Sequence, residues 1–413
     1  MTSPHPEPRP WRLKTHTMLP GERTVTVVDR NGMPVWWPNL FHAYELRNAG
    51  RSYATQKRTM SAIVAAFNWA EGRDIDIEAR IASFEYLDYA DTKSLQALLK
   101  LNVASERKGS RRAVGNGYWD ARCRGVRDYV RWRAGEAMQR LMRPEAPDAP
   151  AMLYRMAGDG LERFEETLLS GIGNDNETET MGLDESQRAS LLEAIVPGSP
   201  TNPFEKRHQF RNFALILSIY EMGARNGETL GLKREDLHLY GDAPSIEIHR
   251  RHNDPKDPRS RPPATKTKAR LLPISAALAD VLGTWLTDHR SNVSVYPNAG
   301  PCPYVFLSER GRPIASNTVE RIFVALRKVE GIPPWLTAHK LRHTFNDRFS
   351  ELIDTLPEDV LRPAIEARMR NFLNGWSPTS EQGENYRRRF VRTKAHELLS
   401  KLQNLSALGA ARS

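Results

Sequence analysis

Cysteine is nearly absent. Cys123 and Cys302 are the two in 413 residues, and they lie far apart. That argues against a disulfide framework, and a zinc site built from cysteines cannot form. No apolar run approaches the roughly 18 residues that would suggest a membrane span. The segment Met1 to Pro10 is rich in proline and polar side chains and has none of the apolar stretch of a secretory signal. No internal repeat or low-complexity tract is present. These absences together point to a cytoplasmic protein.

What the chain does have is length, core material and positive charge. Its length suits two or three domains of ordinary size, and 39% hydrophobic residues allow a sizeable core. The net charge is +10 and the pI about 9.6. Such a balance favours a polyanionic partner, of which nucleic acid is the commonest. A basic protein without such a partner would carry the same charge.

Residues 1–20 are expected to be disordered. Arg23 to Val28 alternates like a short strand and is followed by the turn signal Asp29-Arg30-Asn31-Gly32. Trp36, Trp37, Leu40, Phe41 and Leu46 suggest a short packed helix. Thr55 is a plausible N-cap for the next, which carries Met60, Ile63, Val64, Phe67 and Trp69. Lys57 and Arg58 then fall in its first turn, where the helix dipole disfavours cations and a phosphate would offset the cost. Simple solvation is the alternative. Ser105 to Arg112 is a basic loop containing Arg111 and Arg112. A long helix over 118–141 places Arg124, Arg127 and Arg131 on one face, suited to a DNA backbone, and its aromatics read as core. Prolines in 143–151 suggest a stiff linker, and 172–181 is polar. The expected organisation is a helical N-terminal domain over 21–145, a linker region over 146–181 and a second domain over 182–413. In the latter, Asp184 caps a helix, His208 to Met222 is a buried helix, and two strands, 245–250 and 269–274, flank a proline-rich basic loop.

Several residues could carry chemistry. Arg225 follows the buried helix with Glu228 one turn on; an arginine there can present a planar fork to a phosphate. A surface arginine paired with Glu228 looks the same. Lys266 and Lys268, near the tip of a hairpin, could reach a DNA groove and donate a proton. His339 and Arg342 share a helix face and can converge on one phosphate. His339 has a reference pKa of about 6.5, suited to moving protons. His343 points elsewhere and reads as structural. Tyr386, ten positions after Trp376, needs cationic neighbours to act as a nucleophile, since a phenol titrates near 10. Three arginines follow it.

The order Arg225, Lys266, His339-x-x-Arg342, Trp376, Tyr386 resembles the tyrosine recombinase (phage integrase) family. Gly-Ala-Arg-Asn-Gly-Glu-Thr-Leu-Gly-Leu resembles its first-arginine box, Thr-Ala-His-Lys-Leu-Arg-His-Thr-Phe its second, and Asn-Phe-Leu-Asn-Gly-Trp-Ser with Tyr386 its last. The likeness covers 182 to about 400 well and 50–145 more weakly. It implies a mainly α fold with a small antiparallel sheet (α+β): a helical core-binding domain and a catalytic domain closing as a C-shaped clamp on duplex DNA. Tyr386 would form a 3′-phosphotyrosine, and Arg225 and Arg342 would hold the non-bridging oxygens. Lys266 would protonate the leaving 5′ oxygen, with Lys268 as the alternative. His339 would assist, Trp376 would donate from its indole N–H, and Glu228 would orient the cluster. No metal, ATP or other cofactor is implied.

The implied partner is double-stranded DNA with specific recombination sites, bound by a homo-tetramer, with sister recombinases or accessory proteins as further partners. The implied setting is a prokaryotic cytoplasm, at the nucleoid when DNA-bound, and the implied use is integration or excision of a mobile element. Two departures from the family pattern stand out. The Trp376-to-Tyr386 spacing is one residue longer than usual, and Asn374 replaces the familiar residue before Gly-Trp. The long loop 251–265 offers Arg251, His252, Lys256, Arg259 and Arg261, with the adjoining Arg250, either to DNA or as surface decoration. Ala395, Leu398, Leu399, Leu402 and Leu405 form an apolar stripe suited to docking on a neighbouring protomer or packing on its own domain. The rival readings are a type IB topoisomerase-like enzyme and a catalytically silent DNA-binding regulator.

Overall fold

The computed structural model describes residues 10–19, 21–102, 113–141, 151–173, 182–251, 254–263, 268–354 and 363–376. The chain divides into two units, Met1–Thr178 and Glu179–Ser413. It is mainly helical with two small antiparallel sheets.

The first unit opens with a hairpin. Arg12–Thr17 (β1) pairs with Arg23–Val28 (β2), Arg12 opposite Val28 and Thr17 opposite Arg23. The disorder expected over residues 1–20 is therefore corrected from Arg12 onward. β1 is mostly exposed, so its sequence carries little apolar signal. Its anchor is remote. The Asn68 side chain accepts from the Trp11 N–H at 3.1 Å and donates to the Trp11 carbonyl at 3.0 Å. The Trp11 ring sits edge-on to Phe67 at 5.3 Å. The turn after β2 forms as expected: Asp29 accepts from the N–H groups of Asn31 and Met33.

Helix α1 (Trp36–Phe41) leads through a wide turn into α2 (Tyr53–Glu71). The N-cap of α2 is Ser52, whose hydroxyl accepts from the Thr55 N–H, so the expected cap is displaced by three residues. Lys57 and Arg58 thus lie in the second turn. Helices α3 (Ile77–Ala82), α4 (Tyr89–Lys100) and α5 (Asn116–Leu141) follow. Trp119 and Tyr129 of α5 are buried, and Tyr129 meets Phe41 and Phe67 at ring distances of 5.4 and 5.9 Å. Arg122 and Arg133 turn inward: Arg122 donates to the Leu99 and Leu101 carbonyls at the end of α4, and Arg133 pairs with Glu78. Arg124, Arg127 and Arg131 lie outward, paired with Asp120, Asp128 and Glu165.

Ala151–Leu169 forms helix α6 where a linker region over 146–181 is expected. Ala157, Phe164 and Leu168 are buried in the first core. Their stripe is interrupted by Gly158, Gly160 and four carboxylates, which hides it in the sequence.

In the second unit, α7 (Glu185–Ile195) starts at Asp184 as expected, with Gln187 closing a reciprocal capping box. Helix α8 (Lys206–Met222) runs through the core, and Leu215, Ile216 and Ile219 are fully buried. Burial of each contributes about 1.5–3 kcal/mol. After α9 (Asn226–Gly231), strands β3 (Leu237–His238), β4 (Ser245–Ile248) and β5 (Arg270–Pro273) pair in that order, Ile248 opposite Arg270. Then come α10 (Ala276–Thr284), α11 (Ser316–Leu326), α12 (Ala338–Asp354) and α13 (Pro363–Asn374).

The basic loop after β4 is partly internal. Arg251 pairs with Asp236 at 2.6 Å, and buried Arg259 pairs with Asp257 and donates to the Leu230 and Ile314 carbonyls. Those two arginines hold the loop to the domain rather than decorate its surface. Lys256 and Arg261 are exposed. Cys123 and Cys302 are free thiols. Among the described residues no helix is long and apolar enough to cross a membrane.

Candidate active site

Helix α8 ends at Gly223, which takes a left-handed φ of 57°. A Cβ there would lie 2.3 Å from the Phe345 ring, so only glycine fits both the turn and the neighbour. The turn delivers Arg225 to the start of α9. Its backbone N–H donates to Glu228 at 3.0 Å. Glu228 is buried, and a buried carboxylate needs charged partners. Arg270 supplies one, donating to its two oxygens at 3.3 and 2.9 Å. The Arg225 guanidinium stands 3.8 Å from Glu228 with about a quarter of its side chain exposed.

His339 and Arg342 lie in the first turns of α12. Arg342 is buried and donates to the Gly223 carbonyl at 2.8 Å and the Asn374 carbonyl at 2.9 Å. Arg225 reaches the same Asn374 oxygen at 3.5 Å. Two guanidinium groups from separate elements therefore meet at one acceptor. Trp376 is buried, with its ring 5.4 Å from the Arg342 guanidinium. Burial, then the charges of Arg342, Arg225 and Lys340, pushes the His339 pKa below its ordinary value. The imidazole is therefore neutral near pH 7 and can both accept and donate a proton. His343, read as pointing elsewhere, sets its ring edge-on against His339 at 4.7 Å.

The convergence has a cause in the end of α13. The last four carbonyls of a helix lack intrahelical partners. Here Gly375, at a left-handed φ of 64°, turns the chain back. The Trp376 N–H then closes on the Asn371 carbonyl at 2.8 Å and the Gly375 N–H on that of Phe372 at 3.0 Å. The remaining two carbonyls go to arginines: Leu373 accepts from Arg270 at 3.1 Å, and Asn374 from Arg342 and Arg225. The negative end of the helix dipole favours all three cations.

The seam between α12 and α13 is polar. Asn346 and Asn374 exchange side-chain hydrogen bonds of 3.1 and 2.9 Å. Arg370 donates to the Asn346 carbonyl and the Ser350 hydroxyl. The start of the unit is also tied to α12: the Gly182 and Leu183 N–H groups donate to Asp347 and Thr344 at 3.0 and 2.9 Å.

Of the residues singled out in the sequence, Arg225, Glu228, His339, Arg342 and Trp376 come together. Lys268 is exposed just ahead of β5. Lys266, Tyr386, Arg111, Arg112 and the apolar stripe after Tyr386 lie outside the described residues. Lys57, Arg58, Arg124, Arg127 and Arg131 belong to the first unit. Lys57 is half-buried, with its ammonium 5.8 Å from the Tyr53 ring centre, and Arg58 is half-buried beside it. Arg270 and Asn346 are not among the residues singled out in the sequence, and Asn374 is named there only as a departure from the family pattern. Arg270 had a signal: it alternates with Leu271 and shares the inward strand face of Leu272. The asparagine pair had none, because its partners are 28 residues apart. Among the described residues no group of three or more His, Cys, Asp or Glu could hold a metal ion.

Comparison with known proteins finds similarity over the second unit. Residues 183–352 match the phage integrase family, a span that includes Arg225, His339 and Arg342 and ends before Trp376. Tyrosine recombinase XerC of Bacillus licheniformis is 29% identical over 135 residues, 33% of this chain and 39% of that protein. XerC of Methylobacterium nodulans is 29% identical over 135 residues, covering 33% and 35%. XerD of Chlorobaculum tepidum is 24% identical over 159 residues, covering 38% and 45%. The chain thus aligns with well under half the length of these relatives. Among solved structures, the Tn1549 transposon integrase in complex with a circular intermediate DNA aligns at a TM-score of 0.49 and 16% identity, over 84% of this chain and 94% of that one. A lambda integrase dimer bound to a core site aligns at 0.42 and 15%, over 85% and 94%. Over residues 183–352, within its second unit, this chain is thus similar to the tyrosine recombinase (phage integrase) family.

Proposed function

We propose that the chain is a site-specific recombinase that cuts and rejoins duplex DNA through a 3′-phosphotyrosine. The observation that carries this reading is the meeting of Arg225 and Arg342 at the Asn374 carbonyl beside a neutral His339. A phosphodiester at that place would find two planar donors for its non-bridging oxygens, and guanidinium–phosphate pairing is strong in a site of low dielectric. The Tyr386 oxygen attacks phosphorus as its phenol proton passes to neutral His339, the bond to the 5′ oxygen breaks, and Lys266 protonates the leaving group. A 5′-hydroxyl from a second site reverses the step. The phosphodiester energy is kept in the phosphotyrosine, so the cycle needs neither ATP nor metal. Exposed Arg124 and Arg131 and half-buried Arg127, with Lys57, Arg58, Arg111, Arg112 and Lys268, would hold the duplex by its phosphates. A tetramer on paired sites and a role in moving a mobile element complete the reading.

The test is covalent trapping on duplex DNA taken from the flanks of the gene. Wild-type protein should give a detergent-resistant protein–DNA adduct in the presence of a chelator, mapping to Tyr386. Tyr386→Phe should give none while still shifting the DNA in a gel. An adduct formed by Tyr386→Phe overturns the nucleophile assignment. Relaxation of a plasmid that lacks paired sites would favour a topoisomerase instead.

A further inference from the structure

We propose that Asn346 and Asn374 are positioning residues whose paired side chains fix the end of α13, and with it the carbonyl on which Arg225 and Arg342 meet. The inference rests on the function proposed above, since it concerns the same two arginines.

The pair is buried and reciprocal. Asn374 donates to the Asn346 side-chain oxygen at 2.9 Å, and Asn346 donates to that of Asn374 at 3.1 Å. The second hydrogen of each amide goes to the carbonyl four residues earlier on its own helix: Asn346 to Arg342 and Asn374 to Arg370, each at 2.9 Å. Both donors of both amides are therefore engaged. Two leucines would seal this seam against water as well, but apolar side chains tolerate sliding. A reciprocal amide pair is satisfied in one register alone, and a mismatch leaves buried polar atoms without partners.

Register matters here because of what the end of α13 carries. Its last two carbonyls, Leu373 and Asn374, receive Arg270, Arg342 and Arg225. A slip of α13 by a fraction of a turn would move that acceptor away from Arg342, which is fixed at its other end to Gly223. The spacing of the two guanidinium groups would then be lost before DNA arrives. Misplacement by about 1 Å at such a site costs up to about a hundredfold in rate.

The experiment uses the full chain in three forms: wild type, Asn346→Ala, and the paired change Asn346→Leu with Asn374→Leu. Two readouts are followed. One is the titration of His339 by NMR without DNA; the groups facing this ring are Arg342, Arg225, Lys340 and His343. The other is the rate of covalent adduct formation at saturating DNA. The expected result is that both variants fold and bind DNA, form adduct ten- to a hundredfold more slowly, and titrate His339 closer to its ordinary value as the arginines move off. Adduct formation at the wild-type rate with an unmoved His339 overturns the proposal. So does unfolding of the paired leucine variant, because the pair would then hold the helix rather than aim the arginines. If wild type itself forms no adduct, the recombinase reading fails, while a moved His339 titration would still support the positioning role.

Discussion

The outer face of α5 in the first unit and the site of the second unit use arginine in opposite ways. On α5 of the first unit, Arg124 and Arg131 have side chains 52% and 58% exposed, paired with Asp120 and Glu165 at the surface. In the second unit Arg342 and Arg270 are buried, and each donates to backbone carbonyls. An exposed pair contributes little, about 0–1 kcal/mol, so its arginine can exchange a carboxylate for a phosphate at small cost. A buried arginine cannot be exchanged: it fixes the geometry of its neighbours. The first arrangement suits a surface that holds a long anion anywhere along its length. The second suits a place where one anion must sit in one way.

That contrast can be broken most sharply at Arg270. Arg270→Ala leaves buried Glu228 without its main charged partner and should cost about 3–5 kcal/mol in a chemical denaturation curve. A loss below about 1 kcal/mol would put Arg270 in the same class as the surface arginines. Gly223→Ala comes next. It imposes a left-handed backbone on alanine and drives a methyl into Phe345, for about 2–4 kcal/mol and a lower melting temperature of the second unit. An unchanged melting temperature would mean that the Arg342 acceptor is not held by this turn. The smallest stability effect is expected for Arg124→Ala combined with Arg131→Ala, under about 1 kcal/mol. The same change should lower the slope of log DNA affinity against log salt by nearly one per arginine. An unaltered slope would remove these two from the DNA contact.

The legible part of the molecule was the part encoded locally. The cap at Asp184, the buried helix around Leu215 and Ile219, and the spacing of His339 and Arg342 on one helix face all depend on neighbours within a turn or two. What escaped depends on contacts across long stretches of chain. β1 reads as polar and becomes a strand because Asn68 clasps Trp11. Helix α6 reads as part of a linker because its glycines and carboxylates mask Phe164 and Leu168. Arg251 and Arg259 read as DNA contacts or decoration, but acids and carbonyls elsewhere in the fold claim them. In the site itself the residue types were readable, whereas the arginine-collecting end of α13 was not. Nothing in a run of leucine, asparagine and glycine announces that two carbonyls will serve three guanidinium groups.

The bonds from Gly182 and Leu183 to the side chains of Asp347 and Thr344 have a practical consequence. The stretch of chain at the start of the second unit is fastened to the helix that bears His339 and Arg342, just beyond them. Two backbone donors at the entry of the unit are thereby spent on the side chains of that helix. A fragment cut to begin at Asp184 would keep every side chain named in the site and still lack this fastening. Comparing its melting temperature with that of a fragment beginning at Gly182 would show how much these two bonds stabilise the unit.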